Sequence, residues 1–246
     1  MGQKRTISRI SALHYLKLIG RTVLLLIAAI CYLQSWHKEP KQLFEFPGRQ
    51  TWFLIPLWLI FAAEMALRFF PSSLESMGCQ KQFRRNYRPT GKAVKPLGTA
   101  RSTLIVILSW AALNGAIGIL YFRRVIDEGV LLLISLAYSV CDMICILFFC
   151  PFQTWMMKNK CCGSCRIYNW DFAMMFTPFA FIRSIYTWSL LAIALALLLC
   201  WEVTVHRHPE RFTEQTNASL ACANCQEKLC HHKKQLRRFL QTYRQN

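Results

Sequence analysis

Residues 130–150 read VLLLISLAYSVCDMICILFFC, an apolar run broken by a single charge, Asp142. A helix rises about 1.5 Å per residue, so about 20 such residues cross a hydrocarbon core of about 30 Å. Four more runs of this kind surround it, at about 19–36, 51–70, 103–122 and 184–205. None alternates with the period of two that marks a barrel strand, and only helices and closed barrels satisfy their backbone in lipid. The chain therefore reads as all-α, a polytopic helical membrane bundle of five long spans. A sixth apolar segment at 167–183, broken by Pro178, reads as a short span or a re-entrant piece.

The 246 residues are 54% hydrophobic and carry a formal charge of +18. In a soluble protein that charge would suggest nucleic acid. In a bundle it points to cytoplasmic loops facing anionic lipid, and no nucleic-acid partner is expected. Residues 1–18 read as a basic interfacial segment, 19–205 as the transmembrane domain and 206–246 as a basic Cys/His-containing tail. The N-terminal run lacks a small-x-small cleavage site and reads as an uncleaved first span. A protein partner at the basic loop and tail is compatible with the pattern, and nothing in the sequence identifies one.

Loop 71–102 fixes the expected orientation. It carries Lys81, Arg84, Arg85, Arg88, Lys92, Lys95 and Arg101 against Glu75 alone, so it should be cytoplasmic, with the N-terminus and 151–170 on the same side. Five spans put the basic tail outside, and a crossing within 167–183 brings it back inside.

Twelve cysteines supply the candidate chemistry. Cys162 and Cys165 flank a Gly-Ser turn, a C-x2-C spacing that aims two thiolates at one metal and also suits redox thiols. The tail has Cys222, Cys225 and Cys230 in C-x2-C-x4-C, followed directly by His231. Three thiolates and an imidazole complete a zinc shell. Alternatively, Cys162, Cys165, Cys222 and Cys225 form a joint site for zinc or an iron–sulfur cluster, provided both groups share one membrane face. Disulfide or thiol-redox chemistry is the competing reading. Cys141 and Cys145 share a helical face in the fourth span, and helical spacing turns Cys150 elsewhere.

Ionisable groups within spans are costly and mark either function or pairing. Glu64 and Arg68, four apart with the acid first, read as an intrahelical pair. Asn114, among Ala111, Ala112, Gly115 and Gly118, reads as interhelical glue. Asp142 is the strongest single candidate. It either binds a cation or relays a proton, or it is satisfied by Tyr138, Ser139 or another helix. Asn169 or Asp171 reads as the cap of the helix that follows. No nucleotide-binding glycine loop, H-E-x-x-H helix or G-x-S-x-G elbow appears, so no enzyme class is legible.

The motif C-C-G-S-C-R-I-Y-N-W-D-x3-M-F-T-P at 161–178, joined with C-x2-C-x4-C…KKQLRRFL at 222–240, resembles an uncharacterised family of cysteine-rich multi-span membrane proteins of anaerobic Gram-positive bacteria. The resemblance implies a bacterial cytoplasmic membrane and carries no activity. It also implies that the sequon at Asn217 is not glycosylated. Three functions follow from the residues: a cysteine-based metal or redox protein, a membrane scaffold or assembly factor with a structural zinc tail, and a small transporter or channel component using Asp142.

Overall fold

The computed structural model describes residues 9–36, 51–71, 77–93, 100–159 and 162–224. They contain seven α-helices joined by short helical turns: α1 (Arg9–Trp36), α2 (Thr51–Leu67), α3 (Met77–Gln82), α4 (Ala100–Phe122), α5 (Glu128–Leu147), α6 (Asp171–Met175) and α7 (Ile185–Arg207). Among the described residues there is no strand, only an isolated bridge between Pro89 and Asn217.

Among the described residues, four helices are long and apolar enough to cross a membrane: Ser11–Gln34 within α1, Ala100–Phe122, Glu128–Leu147 and Ile185–Arg207. The fifth expected span, α2, has 17 helical residues, with Pro56 inside it. At about 1.5 Å per residue it covers about 26 Å, short of the hydrocarbon thickness. It ends in tight turns, where the amides of Arg68 and Phe69 donate to the carbonyls of Met65 and Ala66 before Pro71. α1 runs unbroken from Arg9 through the first expected span.

Local signals explain the limits of α5. The Asp127 carboxylate caps its start, accepting from the Val130 amide at 2.9 Å. At its other end the amides of both Phe148 and Phe149 donate to Ile144 O, and Pro151 follows. A proline disfavours helical backbone at the residue before it, so the chain unwinds through Cys150.

α1 lies along α5. The Tyr32 ring covers Gly129, where a Cβ would come within 2.5 Å of it, and the Tyr32 hydroxyl donates to Asp127 at 3.0 Å. α2 packs on α7, with Trp58 Nε1 donating to Ser189 Oγ at 2.8 Å. Phe61, Met65, Leu131, Leu136, Leu190 and Leu197 meet in one core. Outward, α1 presents Leu16, Ile19, Leu26, Ile30 and Leu33 as exposed side chains, the surface expected of a helix against lipid tails.

The segment 167–183 fills the centre of this bundle without forming one helix. It consists of the turn Tyr168–Trp170, α6 and the turn Thr177–Phe181. Its path runs beside α4. Ile167 packs with Val106, Thr177 accepts from Trp110 Nε1 at 3.1 Å, and Phe181 covers Gly118 and meets Phe122. The segment therefore passes from one end of the bundle to the other. Its irregular backbone is sheltered, since Phe172, Met175, Phe176, Phe179 and Ile182 are all buried. Broken backbone at this depth needs such cover.

That passage brings α7 back to the end from which 167–183 set out, and the residues after α7 dock there. Asn217 is fully buried. Its amide donates to Lys81 O at 2.9 Å and Arg211 O at 2.8 Å, and its carbonyl accepts from the amides of Ser219 and Arg88. The Ala218 amide donates to Arg88 O, and Gln82 Nε2 donates to Gly163 O at 2.8 Å. The basic loop, the Cys162–Cys165 turn and residues 208–224 thus share one face. A glycan cannot be attached to a side chain buried as Asn217 is.

Candidate functional site

Two structures meet one or two turns inside this loop-rich end. The first is ionic. Arg21 of α1 reaches two helices, donating to Glu64 of α2 at 2.6 Å and to Asp142 of α5 at 3.2 Å, with a third bond to Ser139 O at 3.0 Å. Lys17, one helical turn before Arg21, lies 3.6 Å from Glu64. Arg68 grips Asp171 with two nitrogens, at 2.7 and 2.6 Å, and stacks over Phe172 at 4.6 Å. Both arginine side chains are 6% exposed. The network holds three cations, Lys17, Arg21 and Arg68, and three carboxylates, Glu64, Asp142 and Asp171. It is electrically balanced. His14 is buried nearby on α1, with no hydrogen-bond partner for either ring nitrogen among the described residues.

The network changes several expectations. Glu64 pairs with α1 rather than with Arg68, because Arg68 lies just beyond the end of α2 and turns to Asp171. For Asp142 one of the expected alternatives holds, a partner on another helix. The expected Ser139 hydroxyl donates instead to Leu136 O at 2.7 Å. Asp171 caps nothing: the residue before α6 makes no side-chain cap, and Asn169 donates to Gln82 Oε1 at 2.9 Å. Asn114 is buried but donates to Trp110 O of its own helix, so it does not glue helices together by that bond. The small-residue stretch accepts the Phe181 ring at Gly118, while nothing approaches Gly115.

The second structure is a cavity of about 140 Å³ between α4, α5, α6 and the turns at 150–153 and 165–168. Cys141, Cys145, Cys150 and Cys165 line it, with Asp142 and Asp171 at its ionic side. Trp110, Tyr138, Phe152 and Tyr168 supply aromatic walls, and Met174 and Met175 add thioethers. All four cysteines are thiols. A side-chain hydrogen bond joins Cys145 and Cys150, and the Cys150 sulfur accepts from the Gln153 amide at 3.4 Å. A backbone amide aimed at a sulfur supports negative charge there.

This grouping crosses the sequence motifs. Cys150 joins the face of Cys141 and Cys145 because α5 has already ended at Leu147, so ideal helical spacing no longer applies. Cys165 is buried with Val106 and Ile167 and belongs to the cavity. Cys162 and Cys222 begin short turns, Cys162–Ser164 and Cys222–Asn224, on the loop-rich face. Cys225, Cys230 and His231 lie outside the described residues. Among the described residues, no three His, Cys, Asp or Glu side chains converge as a metal shell.

At the edge of the site, Arg166 clasps Glu202 of α7 with both terminal nitrogens, and Trp170 Nε1 donates to the same carboxylate at 2.7 Å. This ties the start of the broken segment to the end of α7. Lys17 and Arg21 are the residues that sequence reasoning missed. They sit among the basic residues ahead of the first apolar run and read as flanking charge.

No protein-family model, curated protein or solved structure matches the chain.

Proposed function

We propose that this is an integral membrane protein whose working centre is a thiol pair, Cys145 and Cys150, that cycles between dithiol and disulfide. The observation that carries this reading is the side-chain hydrogen bond between Cys145 and Cys150, whose sulfur accepts from the Gln153 amide at the wall of a cavity. A sulfur that accepts from a backbone amide is suited to attack, and the cysteine hydrogen-bonded to it is placed to close the disulfide. The balanced ionic network favours this reading over transport through Asp142, since that carboxylate is already neutralised by Arg21. The loop-rich face, with exposed Arg84, Arg85, Arg88 and Lys92, is the cytoplasmic one in this reading and rests on anionic lipid. The N-terminus and the tail share that side of the cell membrane, with 167–183 as a broken sixth crossing.

The test is a redox titration of the detergent-purified full chain in glutathione buffers. Thiols are trapped by acid and alkylation, and the peptides carrying residues 145 and 150 are weighed. One two-electron transition, lost in Cys145→Ser and in Cys150→Ser, is the expected result. Independent alkylation of the two thiols in every buffer would overturn the couple.

The docking of residues 208–224 favours a second role on the same face. Cys222 starts five residues after the buried Asn217 anchor, so a zinc shell of Cys222, Cys225, Cys230 and His231 would fasten the rest of the tail beside the basic loop, as in an assembly factor. Metal content of the purified chain, beside a Cys222→Ser/Cys225→Ser variant, tests it. About one zinc per chain, lost in the variant, supports the tail site, and no zinc in either sample overturns it.

A further inference from the structure

We infer that the cavity beside Cys145 and Cys150 takes the ring of a lipid-soluble quinone, which accepts the two electrons of the dithiol. This rests on the reading of those cysteines as a couple and names its reaction partner.

Size, access and lining support it together. A cavity of about 150 Å³ lined by apolar side chains holds a benzene ring, and this one measures about 140 Å³. Cys141 both lines the cavity and is exposed on the outer surface of α5, near exposed Ile144, so the cavity reaches the lipid-facing side of the bundle there. A ligand dissolved in hydrocarbon can enter at that point. Trp110 and Tyr138 pack on each other, 4.8 Å between centroids and tilted by 52°, and together form an aromatic wall against which a ring can lie. The Tyr138 hydroxyl is buried with no hydrogen-bond partner among the described residues. A buried donor of this kind is costly unless something accepts from it, and a quinone carbonyl that displaces the atoms covering the hydroxyl supplies that acceptor. The same void is wide for a bare ion, and the described thiols do not converge on one point.

The reaction balances without another reagent. Two S–H bonds break at Cys145 and Cys150, and one S–S bond forms between them. Two electrons pass to the quinone, and both protons end on its oxygens as the quinol. The dithiol is oxidised and the quinone reduced. Tyr138 positions the carbonyl by its hydrogen bond.

The experiment uses the reduced full chain in detergent with duroquinone, whose four methyl groups block addition of a thiol to the ring, and in parallel with diamide, a general thiol oxidant. Quinol is read by absorbance and the linkage by peptide mass mapping. We expect one quinol per Cys145–Cys150 disulfide and none from Cys145→Ser or Cys150→Ser. Tyr138→Phe should slow the duroquinone reaction about tenfold, the loss of about one hydrogen bond, and leave the diamide reaction unchanged. If diamide links the pair and duroquinone does not, or if Tyr138→Phe reacts with duroquinone as fast as the parent chain, the quinone site is overturned and the couple stands. If neither oxidant links the pair, the couple itself falls and the inference with it.

Discussion

The ionic network and the sulfur-lined cavity share two residues, Asp142 and Asp171, yet they treat polarity in opposite ways. Every charge of the network has a partner. Arg21 divides itself between Glu64 and Asp142, and Arg68 holds Asp171 with two nitrogens. The cavity keeps a buried hydroxyl without a partner and four thiols around an open space. The cost of burial explains the contrast. An unpaired charge inside a bundle is expensive enough that the fold must neutralise it. A thiol buries almost as an apolar group and can be kept for its reactivity. The network therefore reads as the device that sets α1, α2, α5 and α6 in register, and the cavity as the place where chemistry happens.

Removing the central cation should break this contrast most severely. Arg21→Met leaves Glu64 and Asp142 facing each other across helices, with Lys17 beside Glu64 and with Arg68 already engaged by Asp171. Loss of one partner from a buried pair costs about 3–5 kcal/mol. Thermal unfolding in detergent should show a large fall, and adding Glu64→Gln and Asp142→Asn should recover most of it. A single variant as stable as the parent would make the network dispensable.

Next in size is the latch on the loop-rich face. Asn217→Ala leaves the carbonyls of Lys81 and Arg211 and the amides of Ser219 and Arg88 without their buried partner. The cost should be about 2 kcal/mol, read as faster proteolysis after residue 207 while the bundle persists.

Two glycines of α4 sharpen the packing argument at lower cost. A Cβ at Gly118 meets the Phe181 ring at 2.6 Å, whereas one at Gly115 meets nothing. Gly118→Ala should cost about 1–2 kcal/mol, while Gly115→Ala should be neutral or slightly stabilising through helix propensity. Equal effects in unfolding experiments would mean that 167–183 does not press on α4.

The smallest structural effect should come from the reactive pair. Cys145→Ser should shift stability by less than about 1 kcal/mol and still abolish the redox transition.

The helical membrane class was legible because burial in lipid leaves so few backbone solutions, and the long apolar runs at 103–122, 130–150 and 184–205 correspond closely to α4, α5 and α7. The role of 167–183 was half legible. Pro178 announced a break, but the passage from Val106 to Phe122 along α4 depends on contacts that no local pattern encodes. Arg21 was hidden for the opposite reason. Its sequence neighbours make it look like flanking charge, and its function as a bridge exists only once α1 lies on α5. The cysteine motifs did not announce the cavity. The C-x2-C spacing joined Cys162 to Cys165, whereas the fold gives Cys165 to the cavity. The unwinding forced by Pro151 gives Cys150 to it as well.

The most direct measurement is the rate at which each thiol of the reduced, detergent-solubilised chain reacts with a small maleimide, followed by peptide mass spectrometry. Cys31 and Cys200 are exposed on the lipid-facing surface and Cys150 is only partly exposed, so access alone would label the first two sooner. The Gln153 amide on its sulfur predicts that Cys150 is labelled first, and the pairing predicts that prior oxidation protects Cys145 and Cys150 together. Labelling that follows exposure, with Cys150 slower than Cys31 and Cys200 and no joint protection, would contradict the account.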